Sequence, residues 1–438
     1  MKKLAFDSLV VGTALFAMFF GAGNIIFPPY IGLVAGPEWV AGFLWYYLAD
    51  VGLALVAIFA MLRANSIDRV EGIMYRLGDI PAKMMMIAAV ICIGPLLAIP
   101  RTCATTFSMT VVPLAGTEAL WLQVAFSVAY FLAVYVFSIK ESSLVDIVGK
   151  YLTPLLVLGL LLMIIVGTLN PMGPISDTVT VENVTWTGIT FGYQTLDVLA
   201  TLVFGLIVVN ALKSKGYTCP KLKFISVSLA SLIAGVLLFV VYGGLCYLGA
   251  TASTLYPETI DKGQLVMHIA GTLFGTVGSA LLGVVVGLAC LTTAVALTGA
   301  AGTFFNTMTN GRWPYKTIVI FVCAFSTVMA NWGLGNIIAF AEPILVFIYP
   351  GALVVVFLSL FDNRIENDNI FRFATAGAMA VSFCEVASRW LPETFSFITV
   401  LPFQADGFGW VVPAVVFGVV GSFFKAPRGK GPCVSNSS

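Results

Sequence analysis

The chain has 438 residues, 59% of them hydrophobic and 10% charged, with 22 Lys and Arg against 21 Asp and Glu. A soluble protein of that length needs more charge to cover its surface, so this composition, with a mean hydropathy of +1.00, marks an integral membrane protein. The near-neutral charge balance gives no reason to expect nucleic acid as a partner.

The apolar runs reach about 20 residues, which makes the spans helical rather than barrel strands. Twelve spans are predicted, at 8–34, 39–62, 84–110, 119–138, 150–169, 189–212, 224–249, 267–308, 315–331, 335–360, 371–388 and 408–424. Met1-Lys2-Lys3 leads straight into the first, so no cleavable signal peptide is expected. Of the 22 cations all but Lys262, Arg389 and Arg101 fall on one side of this arrangement, Lys262 and Arg389 opposite and Arg101 within a span. The positive-inside rule then places both termini in the cytoplasm, with the chain in the cytoplasmic membrane. The stretch 267–308 is longer than a bilayer needs, which leaves room for an interfacial or re-entrant piece ahead of the spanning helix. Loops 170–188, 250–266 and 389–407 are long enough for lids, and the polar tail 429–438 reads as disordered.

The first span carries Gly21-Ala22-Gly23-Asn24 and then Pro28-Pro29 in its middle. Glycine costs about 1 kcal/mol and proline about 3 kcal/mol in a helix interior. Backbone groups freed there need a polar cavity or a ligand, so a broken helix at a binding site is expected; a continuous, proline-kinked helix is the alternative. The sixth span repeats the oddity at Phe191-Gly192-Tyr193-Gln194-Thr195-Leu196-Asp197, with an intramembrane aspartate. Equivalent positions are offset by five spans, and an odd offset inverts the second copy. Paired broken helices in inverted halves point to a secondary transporter with its site at the midplane. The halves would run over 5–170 and 185–360, with two helices appended at 371–425.

Three motifs in order carry a resemblance: Gly21-Ala22-Gly23-Asn24-Ile25-Ile26-Phe27-Pro28-Pro29, Gly94-Pro95-Leu96-Leu97-Ala98-Ile99-Pro100-Arg101-Thr102, and Gly192-Tyr193-Gln194-Thr195-Leu196-Asp197. With them the chain resembles the bacterial branched-chain amino acid:cation symporters, of the amino acid–polyamine–organocation superfamily. That resemblance implies an all-α polytopic protein with the five-plus-five inverted repeat of the leucine transporters. It also implies sodium-driven import of leucine, isoleucine and valine.

An amino acid brings a carboxylate and an ammonium into the membrane. The half-helix N-terminus at Gly21, Ala22, Gly23 and Asn24 offers free N–H groups to the carboxylate. Carbonyls near Phe19, Phe20 and Phe191 suit the ammonium, which makes Phe191, Gly192, Tyr193 and Thr195 the matching candidates in the sixth span. The competing role for these glycines is helix–helix packing. Ala289, Thr292 and Thr293 set a carbonyl and two hydroxyls on one helical turn, the donor type sodium needs, although membrane threonines also bond their own helix. The resemblance completes this set with the carbonyls of Ala17 and Phe20, and makes Asn24 a candidate ligand for a second sodium. Asp197 either caps the second half-helix or acts at the site, and Arg101 is a gating candidate that pairs with an acid or snorkels. Asp50 and Glu342 have no partner legible in sequence, and His268 reads as interfacial. No Ser/His/Asp set, metal-ligand spacing or phosphate loop argues for an enzyme. The rival readings are proton coupling through Asp197 or Asp50, and a channel or membrane receptor.

Overall fold

The computed structural model describes residues 2–64, 71–117, 119–139, 153–195, 197–214, 216–217, 219–260, 262–332, 334–404 and 407–426. Among them every regular element is helical. The tail 429–438 and Arg69, Lys140, Lys150, Lys215, Arg428 and Lys430 of the charge pattern lie outside the described residues. Helices lie on each of the predicted stretches. Six helical runs are long and apolar enough to cross a membrane, and shorter apolar helices of 10–17 residues include Phe6–Phe19, Leu156–Leu169 and Tyr315–Ala330. The chain divides into two units, residues 1–55 with 90–341, and residues 56–89 with 342–438.

In the first unit, α1 (Lys2–Phe19) and α2 (Ala22–Ala35) are separate helices, so the expected break is present at Phe20–Gly21. Gly21 is extended there, with φ −104° and ψ −165°. Pro28 and Pro29 lie inside α2 without ending it, and α2 stops at Gly36, whose φ of 50° terminates helices readily. Both helices pack on the long helix Pro220–Thr251. The approach is close enough that a Cβ on Gly32 would overlap the Cys246 carbonyl, and one on Gly249 the Pro29 carbonyl. Only glycine allows backbones so near.

The predicted long stretch at 267–308 is two helices, Lys262–Phe274 and Thr276–Met308, divided at Gly275 with φ 59°. The third stretch is also interrupted. Within the wide turn Cys92–Leu96, Gly94 leaves helical geometry at φ −88° and ψ −117°, and Pro95 follows. A new helix, Ala98–Thr106, then carries Arg101 in its first turn. In the second stretch, a wide turn at Leu48–Gly52 joins the helices Trp39–Tyr47 and Leu53–Arg63 and holds Asp50. Single wide turns of this kind re-aim side chains and favour functional positions.

The sixth stretch comprises Val184–Thr195 and Asp197–Ser214, flanking Leu196, which lies outside the described residues. Phe191 through Thr195 are helical, so the opened backbone expected around Phe191 and Gly192 is not there. Gly192 instead packs face to face with the second stretch. A Cβ on it would stand 2.7 Å from both the Tyr46 carbonyl oxygen and Ala49 Cβ.

In the second unit, the helices Asp368–Ser388 and Val411–Phe423 pack against each other, with Gly377 against Phe417 and Gly421 against the Asn369 carbonyl. Asn367 caps the former by accepting the Asn369 N–H at 3.0 Å. Arg76, fully buried, joins its neighbours in this unit: Nη1 lies 2.7 Å from Asp362, Nε 2.6 Å from Asp368, and Nη2 donates to the Ile365 carbonyl at 2.7 Å.

Candidate functional site

A helix that stops inside an apolar protein leaves its last carbonyls without intrahelical partners, and the next helix leaves its first N–H groups likewise. At the end of α1 the Phe16 carbonyl is taken by Phe20 N–H and the Phe19 carbonyl by Gly21 N–H, both at 2.8 Å. Those of Ala17, Met18 and Phe20 face Thr292 and Thr293 from the helix Thr276–Met308. Thr292 Oγ1 lies 3.0 Å from the Ala17 carbonyl and 2.9 Å from that of Ala289. Thr293 Oγ1 lies 3.5 Å from Ala17, 3.4 Å from Met18 and 3.4 Å from Phe20 carbonyls. The five sodium-ligand candidates Ala17, Phe20, Ala289, Thr292 and Thr293 are thus brought together as neutral oxygens at the negative end of a helix. Among the described residues no group of three or more His, Cys, Asp or Glu forms a metal cluster. A set of carbonyls and hydroxyls suits a hard monovalent ion rather than a transition metal.

Across the break, α2 opens with Ala22, Gly23 and Asn24, and Gly21 offers no side-chain cap to their N–H groups. Asn24 is buried, and its amide nitrogen lies 3.2 Å from Asp50 Oδ2, 3.0 Å from Asp197 Oδ2 and 2.6 Å from Tyr242 Oη. Thr195 Oγ1 donates toward Asp50 Oδ1 at 2.9 Å or the Gly192 carbonyl at 2.6 Å. Tyr46 completes this cluster, its ring 5.4 Å from that of Tyr242. Its buried hydroxyl is directed at Asp50 and Tyr242. Asp197 does begin a helix, but its carboxylate turns to Asn24. Of the candidates in the sixth stretch, Thr195 and Asp197 therefore join this cluster, and Gly192 serves packing. Tyr193 is helical, its side chain outside the described residues.

Phe191 stacks on Phe27 with centroids 5.2 Å apart and meets Tyr30 edge-on at 5.7 Å. Lys262 lies over Tyr30 at 4.4 Å, and Tyr30 Oη donates to the Glu258 carbonyl at 2.9 Å. The loop 250–266 thereby reaches the aromatic cluster beside the break. Arg101 Nη2 comes within 3.9 Å of where a Cβ on Gly23 would stand, with Phe27 at 3.4 Å on the same face. His268 stacks on Tyr256 at 5.1 Å. The side chain of Glu342 lies outside the described residues.

Tyr46, Tyr242 and the pairing of Asp50 with Asp197 were not legible in sequence. The available signal was electrostatic: two intramembrane carboxylates both need donors.

Chemically, the site sets carbonyl and hydroxyl oxygens suited to a hard cation beside the N–H groups that open α2, with a buried cluster of two carboxylates and two tyrosines around the Asn24 amide. A family profile described as branched-chain amino acid transport protein matches residues 4–427. The branched-chain amino acid permease BraB of Bacillus subtilis is 34% identical over 426 residues, covering 95% of this chain and 94% of that protein. The branched-chain amino acid transport system 3 carrier protein of Pseudomonas aeruginosa is 35% identical over 424 residues, covering 93% and 94%. Among solved structures, a Na+-coupled sialic acid symporter in a substrate-bound outward-open state superposes with a TM-score of 0.66 at 14% identity, over 96% of this chain and 90% of that one. The nucleobase-cation-symport-1 transporter MHP1 in a closed conformation gives 0.59 at 12% identity, over 95% and 92%. At such identities the likeness is one of fold.

Proposed function

Because the chain belongs to the branched-chain amino acid transport protein family, we propose that it imports leucine, isoleucine and valine by sodium-coupled symport with alternating access. The observation that carries this reading is the break at Phe20–Gly21. There the carbonyl end of α1 meets the Thr292 and Thr293 hydroxyls while the N–H end of α2 starts one residue on. On this reading sodium sits among Ala17, Phe20, Ala289, Thr292 and Thr293, and the substrate carboxylate lies over Gly21, Ala22, Gly23 and Asn24. Phe27 and Phe191 offer an apolar wall to the branched side chain. The sodium and the amino acid then stabilise one arrangement of the break together, and their joint departure on the other side completes a cycle. The architecture that suits this is twelve spans in the cytoplasmic membrane, both termini cytoplasmic, with inverted halves at 5–170 and 185–360.

A second reading has a specific observation behind it. Asp50 and Asp197 converge on one amide, Asn24, and two carboxylates in one buried pocket are also the means to carry a proton. The test is uptake of labelled leucine by purified protein in liposomes under imposed gradients. Accumulation driven by sodium at equal pH on both sides supports the first reading. Accumulation driven by a pH gradient without sodium replaces it with the second, and non-saturable flux indifferent to both gradients rejects symport.

A further inference from the structure

Arg101 is a fixed cation whose hydrogen-bonding capacity is not used by any described residue. Protein surrounds its guanidinium, yet it makes no hydrogen bond or ion pair with any described residue. It faces the carboxylate of Asp197 from beyond ion-pair distance. The residue as a whole is half-buried. Arginine rarely goes without a partner in a membrane protein, because an enclosed charge is costly unless something answers it. Asp197 does not, since its carboxylate is engaged by Asn24 at 3.0 Å.

The neighbourhood shows what would. Arg101 Nη2 points at the Gly23 face of α2, one residue from the unbonded N–H groups that open that helix. A guanidinium fork and a helix N-terminus on one space form an anion receptor, and the fork's geometry matches a carboxylate. Its position is set by backbone. Gly94 and Pro95 break the third stretch, the new helix starts at Ala98, and Arg101 N–H closes its first turn on the Leu97 carbonyl at 3.0 Å. The opposite pole lies around the next residue, where Asp50 and Asp197 gather about Asn24. Positive and negative poles on adjacent residues of one helix match the two ends of a zwitterion.

We infer that Arg101 binds the substrate's carboxylate and so determines specificity for α-amino acids over uncharged or decarboxylated analogues. This rests on the transport reading above and names the residue that reads one end of its substrate. It also makes Arg101 part of the binding site rather than a gate that pairs with Asp197.

The test compares leucine with leucinamide, which keeps the ammonium and the side chain but replaces the carboxylate by a neutral amide. Binding is measured on the full-length protein in nanodiscs, for wild type, Arg101→Gln and Arg101→Lys. Wild type is expected to favour leucine strongly. Arg101→Gln should weaken leucine about 10- to 100-fold, as loss of a charged hydrogen-bonding partner does, and leave leucinamide within about threefold, so the preference collapses. Arg101→Lys keeps the charge without the fork and should fall between. It also serves as the folded reference should the glutamine variant misassemble. A leucine-to-leucinamide ratio unchanged in the variants overturns the assignment, as does an equal loss of both ligands. Wild type that binds neither leucine nor leucinamide sinks the transport reading itself, a different result from an unchanged ratio.

Discussion

Thr293 has one hydroxyl hydrogen and three carbonyls within reach, at 3.4, 3.4 and 3.5 Å. It satisfies at most one of them, and at those distances none of the three contacts is a short bond. An ion at the centre of the same oxygens would satisfy all of them together. Thr293→Val, which keeps the shape and removes the oxygen, is therefore expected to raise the sodium concentration for half-maximal leucine uptake about tenfold, with little change at saturating sodium. Gly21 supplies an independent test without touching a ligand side chain. A methyl there would stand 3.2 Å from Thr293 Oγ1, closer than side chains ordinarily pack, so Gly21→Ala should shift the same sodium dependence in the same direction. Uptake titrated against sodium measures both, and an unmoved midpoint in both variants removes Thr293 from the ion's ligands. Asp50 separates the coupling readings. If its carboxylate carries a proton, Asp50→Asn should abolish uphill accumulation while preserving leucine–leucine exchange. If sodium is the driver, accumulation in a sodium gradient survives to the extent that leucine still binds.

At the level of whole helices, glycine performs two tasks that composition alone does not distinguish. Gly21 opens a helix, whereas Gly192, Gly32 and Gly249 close the distance between helices. The first break was legible because Gly21, Gly23, Asn24 and two prolines fall together; the prolines turned out to be carried within α2. Gly192 had the same polar neighbours, but what decides its role is Tyr46 and Ala49 opposite it, residues remote in sequence. The wide turn that holds Asp50 carries a single glycine, Gly52, at its end, too little in a glycine-rich chain to announce it. Gly192→Val is accordingly expected to destabilise the fold by about 1–3 kcal/mol or more through overpacking, lowering the unfolding temperature in detergent as well as uptake. In the second unit Arg76 joins the short helix Gly72–Leu77 to Asp362 and Asp368, with Phe371 4.3 Å beneath its guanidinium. Counted along the chain it is one more loop cation; folded, it is fully buried. Arg76→Met leaves two buried carboxylates without their counter-ion and should cost about 3–5 kcal/mol. Adding Asp362→Asn and Asp368→Asn to that variant should recover much of the loss, which thermal unfolding of both variants would show.

Over the whole molecule what matters is charge. The spans were legible because apolar length is a local property of sequence; the ionic core of the site was not, because Arg101, Asp50 and Asp197 come from stretches far apart in the chain. Together these three carry a formal charge of one negative, and an amino acid zwitterion adds none. One sodium ion therefore leaves the loaded site neutral, the condition under which a charge cluster crosses a low-dielectric barrier most readily. Import is then expected to move one positive charge per leucine. A membrane potential of 100 mV contributes about 2.3 kcal/mol to that movement, enough for about 50-fold accumulation, and a tenfold sodium gradient raises the limit to about 500-fold. Liposomes holding the protein, with sodium outside and a potassium diffusion potential set by valinomycin, measure this directly. The sodium gradient needed to null leucine flux should vary with potential as one charge and one sodium per substrate require. A flux indifferent to potential means that a second charge moves in compensation, and one arginine, two carboxylates and one sodium would then not describe the loaded site.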